Sequence, residues 1–262
     1  MLASCVLCIL NCSCSSDDDP AVDVSISPSS ISLHYQDTKQ LSGTNINKWT
    51  SEDIFVASVN DQGLVQGGHV GETRICGQSG NQKTYCDVTI TPKYQLYDEP
   101  VLDWGSSMSK VKSRENHSLV KSSDNLLVYD YSKGSCSTLL TYGFENGVLK
   151  GIVAFLPFSY YLTATYYLAE RFQAIHYDGD LSVMYVDALE DSKIKTAVLQ
   201  SESKSNGSTI TSIYYVDYKT IASKTSSKSR NKVAHTHKAD ILKKIEPIMQ
   251  DSSISPIINK MK

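Results

Sequence analysis

Short runs in which apolar and polar residues alternate fill the chain from about residue 21 to residue 93. One example is residues 24–41, VSISPSSISLHYQDTKQL, in which Pro28 separates one run from the next. Turn sequences such as Asp61-Gln62-Gly63 divide the later runs. Many short strands with frequent turns are typical of a β-sandwich, so we predict one over residues 21–93. Its first inward-facing residues are predicted to be Ile26, Ile31, Leu33, Tyr35 and Leu41.

A different pattern, with helices among longer strands, occupies residues 94–218. Gly105-Ser106 precede a short helix whose Met108 and Val111 face inward, and Pro157 precedes a longer helix that reaches about Ile175. Asn146-Gly147 and Asn206-Gly207 indicate tight turns between strands. The predicted strands cover residues 125–131, 136–144, 147–156, 181–188, 194–202 and 209–217.

The order of these elements is a helix followed by three strands, and it occurs twice. We therefore predict a duplicated α+β domain over residues 94–218, in which an antiparallel sheet carries two helices on one face. The predicted fold class is mostly β, with a β-sandwich followed by this α+β domain. Residues 219–262 are predicted to be a basic, disordered tail with a short helix near residues 238–250.

Charge is distributed unevenly along the 262 residues, whose net charge is -3. Residues 219–262 contain ten Lys or Arg against three Asp or Glu, which leaves 15 against 25 in residues 1–218. An acidic body argues against nucleic-acid binding, which depends on basic faces. His235 and His237 in the tail lack a third ligand nearby, so no metal site is predicted; contact with an anionic membrane surface is the stronger hypothesis.

The chain starts with the apolar stretch MLASCVLCIL and turns abruptly polar at CSSDDDP, residues 14–20. The apolar stretch suits an export signal, but no Lys or Arg precedes it, which leaves open a start codon upstream of Met1. The junction resembles a bacterial lipoprotein box, which implies that a cysteine is lipidated. Cys14 is the predicted attachment site, and Cys12 is the alternative.

The acidic residues after Cys14 resemble the signal that sends lipoproteins of Bacteroides-type bacteria to the outer leaflet of the outer membrane. Residues 1–20 are thus predicted to be a lipoprotein signal and acidic linker. A lipid-anchored protein at the cell surface follows from this resemblance. The alternative is a cytosolic protein with a solvated acidic N-terminus.

Export would place the other cysteines in an oxidising compartment. If residues 73–78 and 83–90 form a hairpin about residues 79–82, Cys76 and Cys86 lie close to opposite each other, so we predict a disulfide between them. The alternative is two reduced, half-buried thiols. Cys136 would remain as a buried thiol.

Four short motifs in the first domain resemble those of the bacterial immunoglobulin-like domain, group 2. They are Trp49-Thr50-Ser51-Glu52-Asp53, Val56-Ala57-Ser58-Val59, Gly63-Leu64-Val65 and Gly71-Glu72-Thr73-Arg74-Ile75. The resemblance implies an Ig-like sandwich that acts as a spacer or adhesion module on cell-surface proteins and has no catalytic residues. Trp49 is predicted to be a core residue and not a platform for sugar.

Two stretches of the second domain, WGSSMSKVKS and YGFENGVLKG, resemble a helix-plus-hairpin unit. This unit occurs in small outer-membrane lipoproteins and in the β-lactamase-inhibitor-protein fold. The resemblance implies a surface that binds protein.

Acidic residues, histidines and tyrosines of the second domain are the candidates for a functional site. Eight acidic residues and histidines fit no nucleophile, paired-carboxylate or metal motif, so no catalytic residue, metal or cofactor is predicted. Tyrosines at 160, 161, 166, 167, 214 and 215 suit a glycan or protein surface, although one ring of each adjacent pair is predicted to be in the core. The eight are Asp103, His117, Asp130, Glu145, Glu170, His176, Asp178 and Asp180.

The sequence thus predicts a surface-exposed outer-membrane lipoprotein that binds protein or glycan and is not an enzyme. Its partners are the outer membrane, through the lipid, and an unknown protein or glycan, with no nucleic acid. The alternatives are a hydrolase in the α+β domain and a periplasmic inhibitor or envelope-assembly factor.

Overall fold

Nine short strands form the N-terminal part of the computed structural model, which describes residues 23–179, 181–205, 207–222, 230–249 and 258. The strands are β1 (Ser25–Ser27), β2 (Ser30–Leu33), β3 (Thr38–Gln40), β4 (Ser42–Thr44), β5 (Lys48–Ser51), β6 (Ala57–Val59), β7 (Leu64–Gly67), β8 (Gly71–Ser79) and β9 (Gln82–Ile90). One sheet contains β2, β9, β8 and β5, with β2 parallel to β9. A second sheet contains β3, β7 and β6, and β1 pairs with β4.

The sheets enclose a small apolar core to which both contribute, as the alternating pattern predicts. Ile26 and Leu41 are buried in it, and Ile31 and Leu33 pack at its edge. Tyr35 does not join it: its ring lies 5.8 Å from that of His69.

Trp49 packs against this core, as predicted. Its indole covers Gly63, where a Cβ would lie 2.8 Å from Cζ2 of Trp49. Gly63 also has φ +78°, which side chains rarely tolerate. The turn before β7 therefore requires glycine for two separate reasons.

The predicted Cys76–Cys86 disulfide is not formed, and both thiols are free and buried. The hairpin exists, but its two-residue turn pairs Cys76 with Tyr85 and Ile75 with Cys86. Paired residues share a face and neighbours along a strand do not, so the two sulfurs point to opposite sides of the sheet. Cys86 lies in the core, and burial raises the pKa of its thiol. Cys136 is a buried free thiol, as predicted.

Eight antiparallel strands of the described residues form one sheet in the C-terminal part. The strands are β10 (Ser118–Ser122), β11 (Leu126–Asp130), β12 (Leu139–Glu145), β13 (Val148–Pro157), β14 (Gln173–Asp178), β15 (Ser182–Val186), β16 (Thr196–Ser205) and β17 (Ser208–Asp217). Their order in the sheet is β10-β11-β12-β13-β17-β16-β15-β14, so that β13 and β17 pair at the centre.

The sheet contains a duplication, but each half has four strands and not the predicted three. Helix α1 (Met108–Arg114) precedes β10–β13, and helix α2 (Tyr161–Ala169) precedes β14–β17. Ser107 caps α1 and Val111 is fully buried, in agreement with the predicted short helix. Helix α2 is shorter than predicted because Ile175 lies on β14.

Both faces of the sheet are covered: the two predicted helices lie on one face, as expected, and a third helix that was not predicted to join the domain covers the other. Helices α1 and α2 pack on one face, whereas α4 (Arg230–Met249), which follows α3 (Tyr218–Ala222), packs on the other. Ile241, Ile245 and Ile248 form the apolar side of α4. The predicted disorder is therefore wrong for residues 219–222 and 230–237, which are helical, whereas residues 238–249 confirm the short helix predicted near residues 238–250. No helix in the described part of the chain is long and apolar enough to cross a membrane.

Candidate functional site

The sequence-predicted acid and base candidates are dispersed over the C-terminal part. Asp103 binds Lys110 and Arg114 on α1, and Asp130 accepts the Ser132 N–H. Glu170 is buried at the boundary with the sandwich. His176 lies on β14, while the Asp178 side chain and Asp180 lie outside the described residues. The contacts of Asp103, Asp130 and Glu170 with described residues join none of these groups to another, as a catalytic set would require.

A buried carboxylate that the sequence analysis missed lies beside His117. The side chain of Glu115, 1% exposed, accepts hydrogen bonds from the hydroxyls of Tyr131 and Tyr142 and lies 3.1 Å from Nδ1 of His117. The His117 ring stacks on Tyr131 at 3.6 Å, and its Nε2 lies 3.4 Å from Asp98. Burial raises the pKa of both tyrosines, and the Glu115 carboxylate raises it further.

This cluster connects the segment after the sandwich to the sheet. Tyr142 also accepts the backbone N–H of Val101 at 3.0 Å, and Lys133 binds Asp98 at 2.7 Å. Tyr131 and Tyr142 are at most 2% exposed, so no ligand reaches the carboxylate between them. The cluster is a structural network of satisfied polar groups.

A cavity of 470 Å³ lies between α4 and the sheet, on the face opposite α1 and α2. We call it the α4 cavity. Its volume is in the range of sites that hold small ligands. Its lining residues come from the start of β11, the β12–β13 hairpin, α3 and α4: Asn125, Leu126, Gly143, Phe144, Glu145, Lys150, Gly151, Thr220, Asp240, Lys243, Lys244 and Ile248.

Glycines on two paired strands give the cavity its shape. Gly143 on β12 pairs with Gly151 on β13, directly below α4. A Cβ on Gly143 would lie 2.3 Å from Cδ1 of Ile248, and one on Gly151 would lie 3.3 Å from Cγ2 of Ile245. The absence of side chains lets α4 approach the sheet closely and leaves space beside it.

Unpaired charges line the α4 cavity. Lys150, Lys243 and Lys244 form no ion pair with any described residue. Oδ2 of Asp240 is buried and accepts no hydrogen bond from the described residues. Buried acceptors are normally satisfied, so this oxygen is suited to a donor from a ligand or from water.

Three of the six tyrosines predicted for a binding surface are buried: Tyr167, Tyr214 and Tyr215. Tyr160 and Tyr161 are half-buried, so neither ring of that pair is fully in the core, and Tyr166 is 46% exposed. The pair on α2 has one buried ring, as predicted, but both rings of the pair on β17 are buried because both sheet faces are covered. Among the described residues, Tyr166 stacks on Tyr94 at 5.1 Å and lies near exposed Leu162 on α2.

Of the eight candidate acids and bases that the sequence indicates, Glu145 is the one described residue that lines the α4 cavity. Lys243 and Lys244 lie in the short helix that is predicted near residues 238–250, and no local pattern connects that helix to Lys150 on β13. A clue was present in the spacing of Ile241, Ile245 and Ile248, which is typical of a helix with one buried side.

The fold and the cavity define a mostly β protein with a sandwich, an antiparallel sheet whose two faces are both covered by helices, and a cavity with the volume of a small-ligand site. No protein-family model matches the chain, and no curated protein sequence matches it. Among solved structures it is similar to parts of the surface layer protein SbsC. Domains 5-6 match with 14% identity over 74% of this chain and 83% of that chain, at a TM-score of 0.23.

Two larger fragments of the same protein give comparable values. Domains 1-6 match with 15% identity over 73% of this chain and 21% of that chain, at a TM-score of 0.23. Domains 4-9 match with 16% identity over 75% and 27%, at a TM-score of 0.24. Scores this low assign neither fold nor function, so the function is argued from the residues of this chain.

Proposed function

We propose that this chain is a lipid-anchored protein of the outer membrane, exposed at the cell surface, that binds a ligand and catalyses no reaction. The α4 cavity carries the binding part of this proposal, because it combines the volume of a ligand site with a buried acceptor, Oδ2 of Asp240, that has no donor among the described residues. A buried acceptor usually has a hydrogen-bond donor. The proposed location rests on the resemblance of residues 14–20 to a lipoprotein signal.

A non-catalytic role is supported by the engagement of the candidate acids and bases. Glu170 and Glu115 are buried and accept hydrogen bonds from other parts of the chain, and Asp103 forms ion pairs with Lys110 and Arg114. The described residues that line the α4 cavity beside Glu145 and Asp240 include no histidine, serine or cysteine.

The sandwich is proposed to be an Ig-like spacer between the membrane and the binding domain. Glu170 accepts the Lys93 and Tyr94 N–H groups, and its own backbone oxygen accepts the Val70 N–H at 2.7 Å. These contacts from both sides of the boundary would hold the second domain at a fixed orientation away from an anchor at Cys14.

Surface display is tested by adding protease to intact cells of a Bacteroides-type host that produces the protein. We expect the wild type to be degraded, and a variant with Asp17, Asp18 and Asp19 replaced by Ala to be protected but still membrane-bound. Cys14→Ala should release the protein from the membrane fraction, with Cys12→Ala as the matched control. Protection of the wild type would overturn the proposed location.

A further inference from the structure

We infer that the α4 cavity selects an acidic sugar, such as a hexuronic acid residue, by binding its carboxylate with lysines and a ring hydroxyl with Asp240. The inference rests on the proposed binding function, because it names the ligand class of the same cavity. Three properties of the lining residues lead to it: the net charge, the buried acceptor and the apolar floor.

The net charge favours a ligand with one negative charge. Three lysines and two carboxylates line the cavity, which gives a net charge of +1. A single carboxylate neutralises this charge and forms charge-assisted hydrogen bonds with the ammonium groups. A group with two charges, such as a phosphate monoester, would also meet Glu145 and Asp240, which repel it.

The buried oxygen of Asp240 favours a ligand that donates a hydrogen bond. An alkyl carboxylate offers none, and it would leave Oδ2 of Asp240 unsatisfied beneath it. A sugar hydroxyl donates a hydrogen bond to this oxygen. Neighbouring hydroxyls of the same sugar form hydrogen bonds with the side chains of Asn125 and Thr220, which also line the cavity. The ligand is therefore an acid with several hydroxyl groups.

The floor of the cavity suits a ring of modest size. Leu126 and Ile248 are buried apolar residues, and Gly143 and Gly151 present backbone without side chains. The C–H face of a sugar ring packs on such a surface, and 470 Å³ encloses a small ligand, whereas a polymer would have to extend beyond it. We therefore expect recognition of a terminal residue of a glycan.

The inference is tested by calorimetry on the full purified chain at low ionic strength. The probes are D-galacturonate and D-glucuronate, their neutral counterparts D-galactose and D-glucose, and L-glutamate as an acid whose donor is an ammonium group. We expect the uronates to bind at least about tenfold more tightly than the neutral sugars and glutamate, and more weakly as salt is added.

Variants assign the binding to the cavity. Lys150→Gln and Lys243→Gln should each weaken uronate binding about tenfold or more, because each removes a charged hydrogen-bond donor. Asp240→Asn should weaken it similarly. Lys83→Gln is the matched control, since Lys83 is exposed on β9 in the sandwich, far along the chain from the cavity residues. Unchanged thermal unfolding of each variant shows that the fold is retained.

Each outcome separates the ligand class from the proposed function. Equal binding of neutral sugars and uronates overturns the selection of an acid and leaves a binding protein. Tighter binding of glutamate overturns the sugar and leaves an anion site. If no probe binds at tens of millimolar, or if the cavity variants bind uronate as the wild type does, the α4 cavity is not the ligand site, and the proposed function loses its main support.

Discussion

The carboxylate of Glu170 accepts the backbone N–H of Lys93, at 2.8 Å from Oε1 and 3.1 Å from Oε2. Tyr94 donates its N–H to the same carboxylate at 3.1 Å. These amides follow the last strand of the sandwich, and Glu170 follows α2, so one side chain connects both parts of the protein. Its side chain is 3% exposed, so water cannot replace a hydrogen bond that the carboxylate loses.

Glu170→Gln should lower the free energy of unfolding by about 1.5–3 kcal/mol, because an amide replaces one acceptor oxygen with a donor that faces backbone donors. Urea unfolding measures the difference. Glu202→Gln, an exposed change on β16, should alter stability by less than about 0.5 kcal/mol. Equal stability of the two variants would show that the connection through Glu170 contributes nothing.

His69 should make the stability fall as the pH decreases below about 6.5. Its ring is buried, stacks on Phe55 at 3.9 Å and lies 3.0 Å from the Phe55 carbonyl oxygen. Burial lowers the pKa of His69, because the charged form loses its hydration, although hydrogen bonds with the Phe55 and Phe172 backbones oppose this.

The direction of this pH dependence follows from proton uptake by the unfolded and folded states. The unfolded state takes up a proton near the ordinary histidine pKa of about 6.5, and the folded state only at lower pH. Stability is therefore full above about pH 6.5 and falls as the pH decreases towards the folded pKa. Thermal unfolding at several pH values should show this loss in the wild type and a smaller one in His69→Gln; parallel curves for the two proteins would contradict the prediction.

Gly143→Ala should displace α4 from the sheet. Its new methyl group would lie 2.3 Å from Cδ1 and 2.5 Å from Cγ1 of Ile248. We expect a loss of about 1–3 kcal/mol in urea unfolding, typical of overpacking, and faster proteolysis within α4. In a Gly143→Ala, Ile248→Val double variant the two effects should be less than additive, because valine lacks the nearest methyl group.

A glycine in open space provides the control for this change. Gly179→Ala adds a methyl group that meets no atom within 4 Å, so its stability should stay close to that of the wild type. A Gly143→Ala protein as stable as Gly179→Ala would mean that α4 does not pack closely against β12 in solution.

The thiols of Cys76, Cys86 and Cys136 should all be reduced in the purified protein. They should react slowly with iodoacetamide in the native state, because they are buried and because burial raises the pKa of Cys86 and Cys136. Mass spectrometry after labelling in denaturant should find a label on each. An unlabelled Cys76–Cys86 pair, together with a melting temperature lowered by reductant, would contradict the observed register.

Much of the fold was predictable from local signals. Asn146 and Gly147 both have positive φ in the turn between β12 and β13, as the sequence pair indicates. Ser107 caps α1 and Val111 lies beneath it. These features depend on residues close together in the chain, whose conformational preferences act in any context.

Other predictions failed where a distant partner decides the outcome. Phe172 and Ile175 continue the helical spacing of α2, yet β14 begins at Gln173 and pairs with β15. A short apolar run fits a helix or a strand equally well, and the pairing partner settles which one forms. Likewise, a shift of one residue in register separates Cys76 from Cys86 by the thickness of the sheet.

By itself, the sequence determined the mostly β class, the alternation of short strands up to residue 90, two hairpin turns and the capped helix α1, because turn chemistry and side-chain periodicity are local properties. Only the tertiary structure decided that α4 covers the second face of the sheet and that Lys243 and Asp240 line the same cavity as Lys150. Burial of Ile241, Ile245 and Ile248 becomes favourable only once β12, β13 and β17 present their apolar face, and no local pattern contains that surface.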